Sequence, residues 1–142
     1  MPLSTLFGTS VLLLAMAVPP AAASPIDNLQ WKKRVVIVFG LDEAQVDRQL
    51  NGMLADREAL AERELVLIHV DGEAVAVPFG DVDPPRAGAL REAFRVSPDI
   101  PFTVILVGKD GGEKLRQTEP VSPEDIFSLI DSMPMRQSET RD

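Results

Sequence analysis

The sequence predicts an α/β fold in which a four-stranded mixed sheet carries helices on both faces. Three short apolar runs, at residues 35–39, 65–70 and 102–107, are typical of strands that are buried on both sides. A segment with helical spacing of apolar residues joins the first two runs, which predicts a parallel pair. A Gly-rich turn at 108–112 follows the third run and predicts a hairpin with a fourth strand at 113–116.

Three helices are expected between and after these strands. Asp42, placed three residues before Gln45, forms an Asp version of the capping box and predicts one helix from there to about residue 62. A short helix before residue 97 has Asp83 as its expected cap, followed by two prolines. The last helix begins after Ser122 and is expected to stop at Pro134.

Between the second strand and the short helix lies a long polar connection, residues 71–83. Within it, residues 74–77 alternate between Ala and Val, and this piece is a candidate edge strand.

Composition excludes several classes of protein. The 142 residues include 22 acidic and 14 basic side chains, giving a formal charge of -8, with one histidine and no cysteine. Thiol catalysis, disulfides, iron–sulfur clusters and thiolate zinc sites are therefore excluded, as is any site that needs two imidazoles. The negative charge argues against nucleic acid as a partner, and no cofactor is predicted.

The N-terminal segment has the pattern of a secretory signal. An apolar run at 11–18 precedes two prolines and three alanines, which predicts cleavage after residue 23 and export to the periplasm or the cell exterior. The expected organisation is a signal peptide at 1–23, one domain at 24–136 and a flexible tail at 137–142, with no membrane contact after cleavage. Because no Lys or Arg precedes the apolar run, a retained N-terminal anchor stays open as the alternative.

The predicted order of elements is that of the thioredoxin-like fold. Ile100, Pro101, Phe102 and Thr103 lead into an apolar strand, and this segment resembles the one in which thioredoxin holds a cis proline. The resemblance implies a cis bond between Ile100 and Pro101.

Three strings resemble a particular group, the exported members of the family called domain of unknown function 4174, which is related to domains of extracellular sushi-repeat proteins. They lie at residues 31–34, 105–116 and 129–136, and the match covers most of 29–139. This resemblance implies a fold and transfers no catalytic residue. The turn after the first strand, residues 40–45, has no cysteine where thioredoxins and peroxiredoxins carry one, so thiol redox chemistry is not expected.

The resulting hypothesis is a non-redox module that binds an unknown protein partner. A cis proline before a strand would leave backbone groups free for an extended peptide, and basic side chains on the hairpin and beyond the last helix could recognise a carboxylate or phosphate. Protection of an edge strand is the simpler explanation of the hairpin charges. The candidate binding residues are Asp42, Ile100, Pro101, Phe102, Lys109, Lys114, Arg116 and Arg136.

The alternative hypothesis is an ion-binding protein or an acid–base enzyme. It rests on side chains expected near one edge of the sheet: Asp42, Glu43, His69, Asp71, Glu73, Asp81, Asp83 and Pro101. Helix capping and solvated loop charges explain most of them equally well. His69 is expected to be structural, and Trp31 to cover the end of the core.

Overall fold

A computed structural model describes residues 23–141 of the chain. The predicted signal segment, apart from its last residue, lies outside the described residues. In the described part, no helix has the length and apolar character needed to cross a membrane.

Within residues 23–141, five strands and five α-helices follow a short 3-10 helix at Asp27–Leu29. The strands are β1 (Arg34–Phe39), β2 (Leu65–Asp71), β3 (Ala74–Phe79), β4 (Thr103–Val107) and β5 (Glu113–Gln117). The helices are α1 (Glu43–Leu54), α2 (Arg57–Glu62), α3 (Ala87–Phe94), α4 (Pro123–Asp131) and α5 (Pro134–Glu139). In the sheet, the strand order is β3-β2-β1-β4-β5, with β1 and β2 parallel and all other neighbours antiparallel.

The central strands separate two apolar cores because alternate side chains of a strand point to opposite faces. Val35 and Ile37 of β1 join α3 and the 3-10 helix in one core. Val36 and Val38 join α1, α2 and α4 in the other. The predicted three-layer α/β fold is confirmed.

The sheet has one strand more than the four predicted. The alternating piece at 74–77 forms most of β3, an edge strand that pairs antiparallel with β2. Val75 and Val77 are half-buried against one core while Ala74 and Ala76 are exposed, so period-two burial makes this polar connection a strand.

Two helix boundaries differ from those predicted. The first helix is broken in two at Asp56, whose carboxylate accepts a hydrogen bond from the amide of Ala59 at 2.9 Å and so caps a new helix. At α3 the N-cap is Arg86, which makes no side-chain cap bond, so Asp83 is not the cap. The Ser122 cap of α4 is confirmed by its bond from the amide of Asp125.

Pro134, predicted to end the last helix, instead begins a further one. Pro134 is the first residue of α5, a position that tolerates proline because the first amides of a helix have no partner within it. Residues 137–139, predicted as part of a flexible tail, continue this helix, which carries the buried Arg136.

Candidate functional site

The carboxyl end of β1, here called the Gly40 end, comprises Gly40, Leu41, Asp42 and the facing residues Ile100 and Pro101. Gly40 has φ of +150°, and a Cβ placed on it would lie 2.2 Å from the carbonyl oxygen of Pro101. Glycine is therefore required by both the conformation and the close approach. The amides of Leu41 and Asp42 donate to the carbonyl oxygens of Ile100 and Pro101, at 3.3 and 3.0 Å.

The prediction of a cis bond before Pro101 is wrong, because no peptide bond between residues 23 and 141 is cis. Because Gly40 has no side chain, the 100–102 segment can approach β1 closely. The carbonyl groups of Ile100 and Pro101 accept hydrogen bonds from the amides of the turn that follows β1. These carbonyls are not free for an extended peptide, and Phe102 is buried. The peptide-groove hypothesis therefore loses its main support.

The Asp42 carboxylate caps helix α1 at this end. It accepts hydrogen bonds from the amides of Ala44 and Gln45, and from the Gln45 side chain at 2.8 Å. The Gln45 side-chain bond, followed by the backbone bonds, lowers the pKa of Asp42 below its ordinary value. The predicted cap at Asp42 is confirmed, but the reciprocal bond of a capping box is absent here, because the Asp42 amide donates to the Pro101 carbonyl and the Gln45 side chain bonds to the Asp42 carboxylate.

The predicted acidic edge is only partly assembled. Glu43, Asp47, His69 and Asp71 line a cavity of about 420 Å³ beside Gly40, whereas Glu73 pairs with Arg91 at 3.5 Å. Nowhere in residues 23–141 do three or more His, Asp or Glu side chains form a group that could hold a metal ion.

The opposite end of the sheet, here called the Trp31 end, comprises Trp31, Arg34, Lys109, Arg136 and Glu139. It contains three cationic side chains that are almost fully buried: those of Arg34, Lys109 and Arg136, exposed by 1%, 7% and 7%. Lys109 and Arg136 are two of the binding residues predicted from the sequence. A buried cation is costly unless it is paired, so its partners matter.

Glu139 of α5 is the shared partner of all three cations. Its carboxylate accepts two hydrogen bonds from Arg34, at 3.2 and 3.3 Å, and one from Lys109. Arg136 adds an ion pair with it at 3.6 Å. Burial opposes ionisation of Glu139, but the bonds from Lys109 and Arg34 outweigh it and lower the pKa of the carboxyl.

Further partners come from α2, α4 and the loop before β2. Arg136 donates to the Glu62 carboxylate at 2.9 Å and to the Asp131 carboxylate at 3.4 Å. Lys109 also pairs with Glu64 at 3.4 Å. The cluster thus fastens α5 to the sheet.

The two remaining predicted cations lie on the hairpin and have local carboxylate partners, and Arg116 also donates to the Phe94 carbonyl at the end of α3. Lys114 donates to Asp110 at 2.8 Å, and Arg116 pairs with Glu113. Both are exposed on β5, an edge strand, which agrees with the simpler explanation that they protect that edge.

A cavity of about 200 Å³ opens beside the buried cations, between the hairpin turn and the corner of α4 and α5. Arg34 and Lys109 line one part of it, together with Lys114 and Asp110, which bond to each other at 2.8 Å. Leu129, Met133 and Met135 supply apolar walls.

Trp31 does not cover the core, contrary to expectation, because 62% of its surface is exposed. Its backbone has φ of +68° and is held there by a hydrogen bond from its amide to the Lys109 carbonyl at 2.6 Å. A bulky residue seldom adopts this conformation, so the fold presents the ring to solvent at a fixed place.

Arg34, Glu139 and the exposed Trp31 were missed as site residues by sequence reasoning. One usable signal existed: proline starts a helix as readily as it ends one, and Pro134 with the polar residues after it fits an N-terminal turn. Nothing in the sequence pattern indicated that Glu139 would reach Arg34, because 105 residues separate them.

The family model described as domain of unknown function (DUF4174) matches residues 25–139. The chain belongs to this family. Its matched region includes both ends of the sheet and α5, and the resemblance of the three sequence strings is confirmed. No match is found among curated proteins.

This DUF4174 domain is similar in fold to a solved structure, the reduced 2-Cys peroxiredoxin of Plasmodium vivax. The two chains are 17% identical, the TM-score is 0.50, and the similarity covers 78% of this chain and 83% of the other. At that identity the likeness shows a thioredoxin-like fold alone. The chain itself has no cysteine, so it has no thiol chemistry.

Proposed function

We propose that this DUF4174 domain is an exported, non-redox accessory module that binds another protein through the Trp31 end of its sheet. The observation that carries the proposal is the exposed Trp31 ring on a backbone held by Lys109. Tryptophan is enriched among the residues that dominate binding energy, and a backbone that is already held in place does not have to be ordered on contact.

Charge supports a partner with an acidic surface. Lys32 and Lys33 follow Trp31 directly, and neither forms an ion pair with any residue that the structure describes. An aromatic ring with two lysines is unusual on a chain of formal charge -8. Such a local positive surface would steer an acidic polypeptide toward the ring.

Leu41 offers a matched control because it is exposed by 58%, close to the value for Trp31, but lies at the Gly40 end. The wild type, Trp31→Ala and Leu41→Ala are each used to purify bound protein from the cells that produce this domain. We expect Trp31→Ala to lose the captured protein and Leu41→Ala to keep it. Lys32→Glu should weaken capture as well, and added salt should weaken wild-type capture.

All variants are first compared with the wild type by thermal unfolding, so that misfolded protein is not scored as lost binding. Capture that survives Trp31→Ala but fails in Leu41→Ala would move the interface to the Gly40 end. Capture that is unaffected by either substitution would refute the proposal.

Export is tested separately by mass. Expressed with its full N-terminus in a secreting host, the protein should be recovered without residues 1–23. Recovery of the complete chain in a membrane fraction would indicate the anchored alternative.

A further inference from the structure

The cavity at the corner of α4 and α5 combines two features that suit an amphipathic ligand. Leu129, Met133 and Met135 form an apolar wall, while Arg34 and Lys109 present buried cations. A volume of about 200 Å³ admits a small molecule or a single aliphatic group. Small-ligand sites typically combine mostly apolar walls with a few placed polar groups.

The charges of the ionic cluster beside this cavity are unequally buried. The three cations are exposed by 7% or less, whereas their carboxylate partners are exposed by 23% at Glu139, 44% at Asp131, 46% at Glu64 and 60% at Glu62. Glu139 is the least exposed of these carboxylates and the one that all three cations share, and it is the only carboxylate that pairs with Arg34 within residues 23–141. Low local polarity strengthens the attraction of Arg34 for an anion.

Arg34 also has unused donor capacity. Its two terminal nitrogens bond to Glu139 and to the Arg63 carbonyl, but its buried Nε has no hydrogen-bond partner in the described residues. A buried unpaired donor is costly and uncommon in folded proteins. Because this nitrogen is itself buried, an anion satisfies it only after the side chains that cover it move apart.

We infer that this cavity is a binding site for a small aliphatic monocarboxylate. The carboxylate contacts Arg34 and Lys109, and the aliphatic part packs against Met133, Met135 and Leu129. Glu139 acts as a competing carboxylate supplied by the chain itself. The inference goes beyond the proposed function and does not depend on a protein partner.

The walls of the cavity favour this ligand class over others. A phosphate would leave its charged oxygens against methionine and leucine side chains, which cannot hydrogen-bond to them strongly. An aliphatic ammonium would lie against Arg34, Lys109 and Lys114, and the only carboxylate among the lining residues, Asp110, is already bonded to Lys114.

The test compares hexanoate with hexanamide, which has the same carbon chain and no charge. Binding to ¹⁵N-labelled protein is followed by chemical-shift titration. We expect hexanoate to shift the amides around residues 108–110 and 133–136 in a saturable manner, and to bind roughly tenfold or more tightly than hexanamide.

Two variants change affinity in opposite directions. Glu139→Gln removes the competing carboxylate and should strengthen hexanoate binding several-fold, whereas Lys109→Met removes a cation and should weaken it roughly tenfold. A purely structural role for the cluster predicts loss of stability in both variants and no opposite change in affinity. If Lys109→Met does not fold, the Glu139→Gln result and the hexanoate–hexanamide comparison still test whether the cavity binds a carboxylate.

Trp31→Ala should bind hexanoate like the wild type, because Trp31 does not line the cavity. Loss of protein capture in that variant, with hexanoate binding intact, therefore separates this site from the proposed interface. Equal binding of hexanoate and hexanamide would overturn the inference. So would the absence of hexanoate binding in both the wild type and Glu139→Gln.

Discussion

The two ends of the sheet handle their polar groups in different ways. At the Gly40 end, backbone amides and carbonyls bond to one another across a glycine, and the Asp42 carboxylate caps the helix that follows. At the Trp31 end, three cationic side chains are buried around one carboxylate, an aromatic ring stands in solvent and a cavity opens beside them.

This contrast bears on where in the fold a partner would bind. At the Gly40 end the amides of Leu41 and Asp42 already have local partners, and the cavity beside Gly40 is lined by the carboxylates of Glu43, Asp47 and Asp71. A buried ionic cluster is weak evidence for stability, since apolar residues of similar size often stabilise a core better. At the Trp31 end the cluster links α5 to the turn beside Trp31, since Lys109 bonds to Glu139 through its side chain and accepts from the Trp31 amide through its backbone.

The largest effect is expected from breaking the ionic cluster at its most buried member. Arg34→Met leaves the Glu139 carboxylate without its bidentate partner and the Arg63 carbonyl without its donor. The free energy of unfolding, measured in urea, should fall by about 3–5 kcal/mol. Lys32→Met, at an exposed position two residues earlier, should change it by less than about 0.5 kcal/mol. A loss below about 1 kcal/mol for Arg34→Met would mean that the cluster is not formed in solution.

At the Gly40 end the sensitive group is a backbone position. Gly40→Ala introduces a Cβ that would meet the Pro101 carbonyl, at a positive φ, and should destabilise the fold by about 1–3 kcal/mol. Gly88→Ala, in α3 with open space around it, should be neutral or stabilise by up to about 1 kcal/mol. Thermal unfolding of the two variants distinguishes these outcomes, and equal midpoints would contradict the close packing of β1 on the 100–102 segment.

The ionic cluster should make the Trp31 end sensitive to acid. The pKa of Glu139 is lowered in the folded state, so its ionised form stabilises the fold at pH values above the ordinary 4.5 of a glutamate. That contribution is lost as the pH falls through the lowered folded pKa. Glu139→Gln should therefore be less stable than the wild type by about 1–2 kcal/mol at neutral pH.

The measurement for Glu139 is urea unfolding across a pH series. The difference between wild type and Glu139→Gln should shrink steadily below pH 4.5. A difference that does not change with pH would show that the Glu139 carboxyl is not held by Arg34 and Lys109.

The smallest response is expected from calcium at the Gly40 end. A true site there would stabilise the fold by about 2.7 kcal/mol at a hundredfold excess over Kd, which raises the melting midpoint of a domain of this size by several degrees. We expect calcium and magnesium to act alike, with only a small rise from screening of the negative charge. A saturable calcium response that is abolished by Asp71→Asn would support the ion-binding alternative.

The features that sequence predicted are those set by local pattern. The apolar runs of β1 and β4 are fully buried as predicted, and the Ser122–Pro123 start of α4 follows from residue preferences that act over three or four positions. The break at Asp56 was missed because Asp is tolerated inside a helix and caps one only when the chain bends there.

Most of the candidate site could not be predicted from the sequence, because contacts between distant parts of the chain form it. Arg34 and Glu139 come from opposite ends of the domain, and buried Gln49 of α1 fixes the loop before α4 through two bonds to the Val121 backbone. Polar residues at such positions look like surface residues when only periodicity is considered. Lys109 was predicted as a binding residue, but its burial could not be predicted.

The central claim, that partners meet the Trp31 end, is tested most directly by site-specific crosslinking in the producing cells. A photoreactive amino acid, p-benzoylphenylalanine, replaces either Lys32 or Glu43, two exposed residues that lie before and after β1. Irradiation should yield a discrete protein adduct from position 32 and none from position 43. An adduct from position 43 with none from position 32 would contradict the account and place the interface at the Gly40 end.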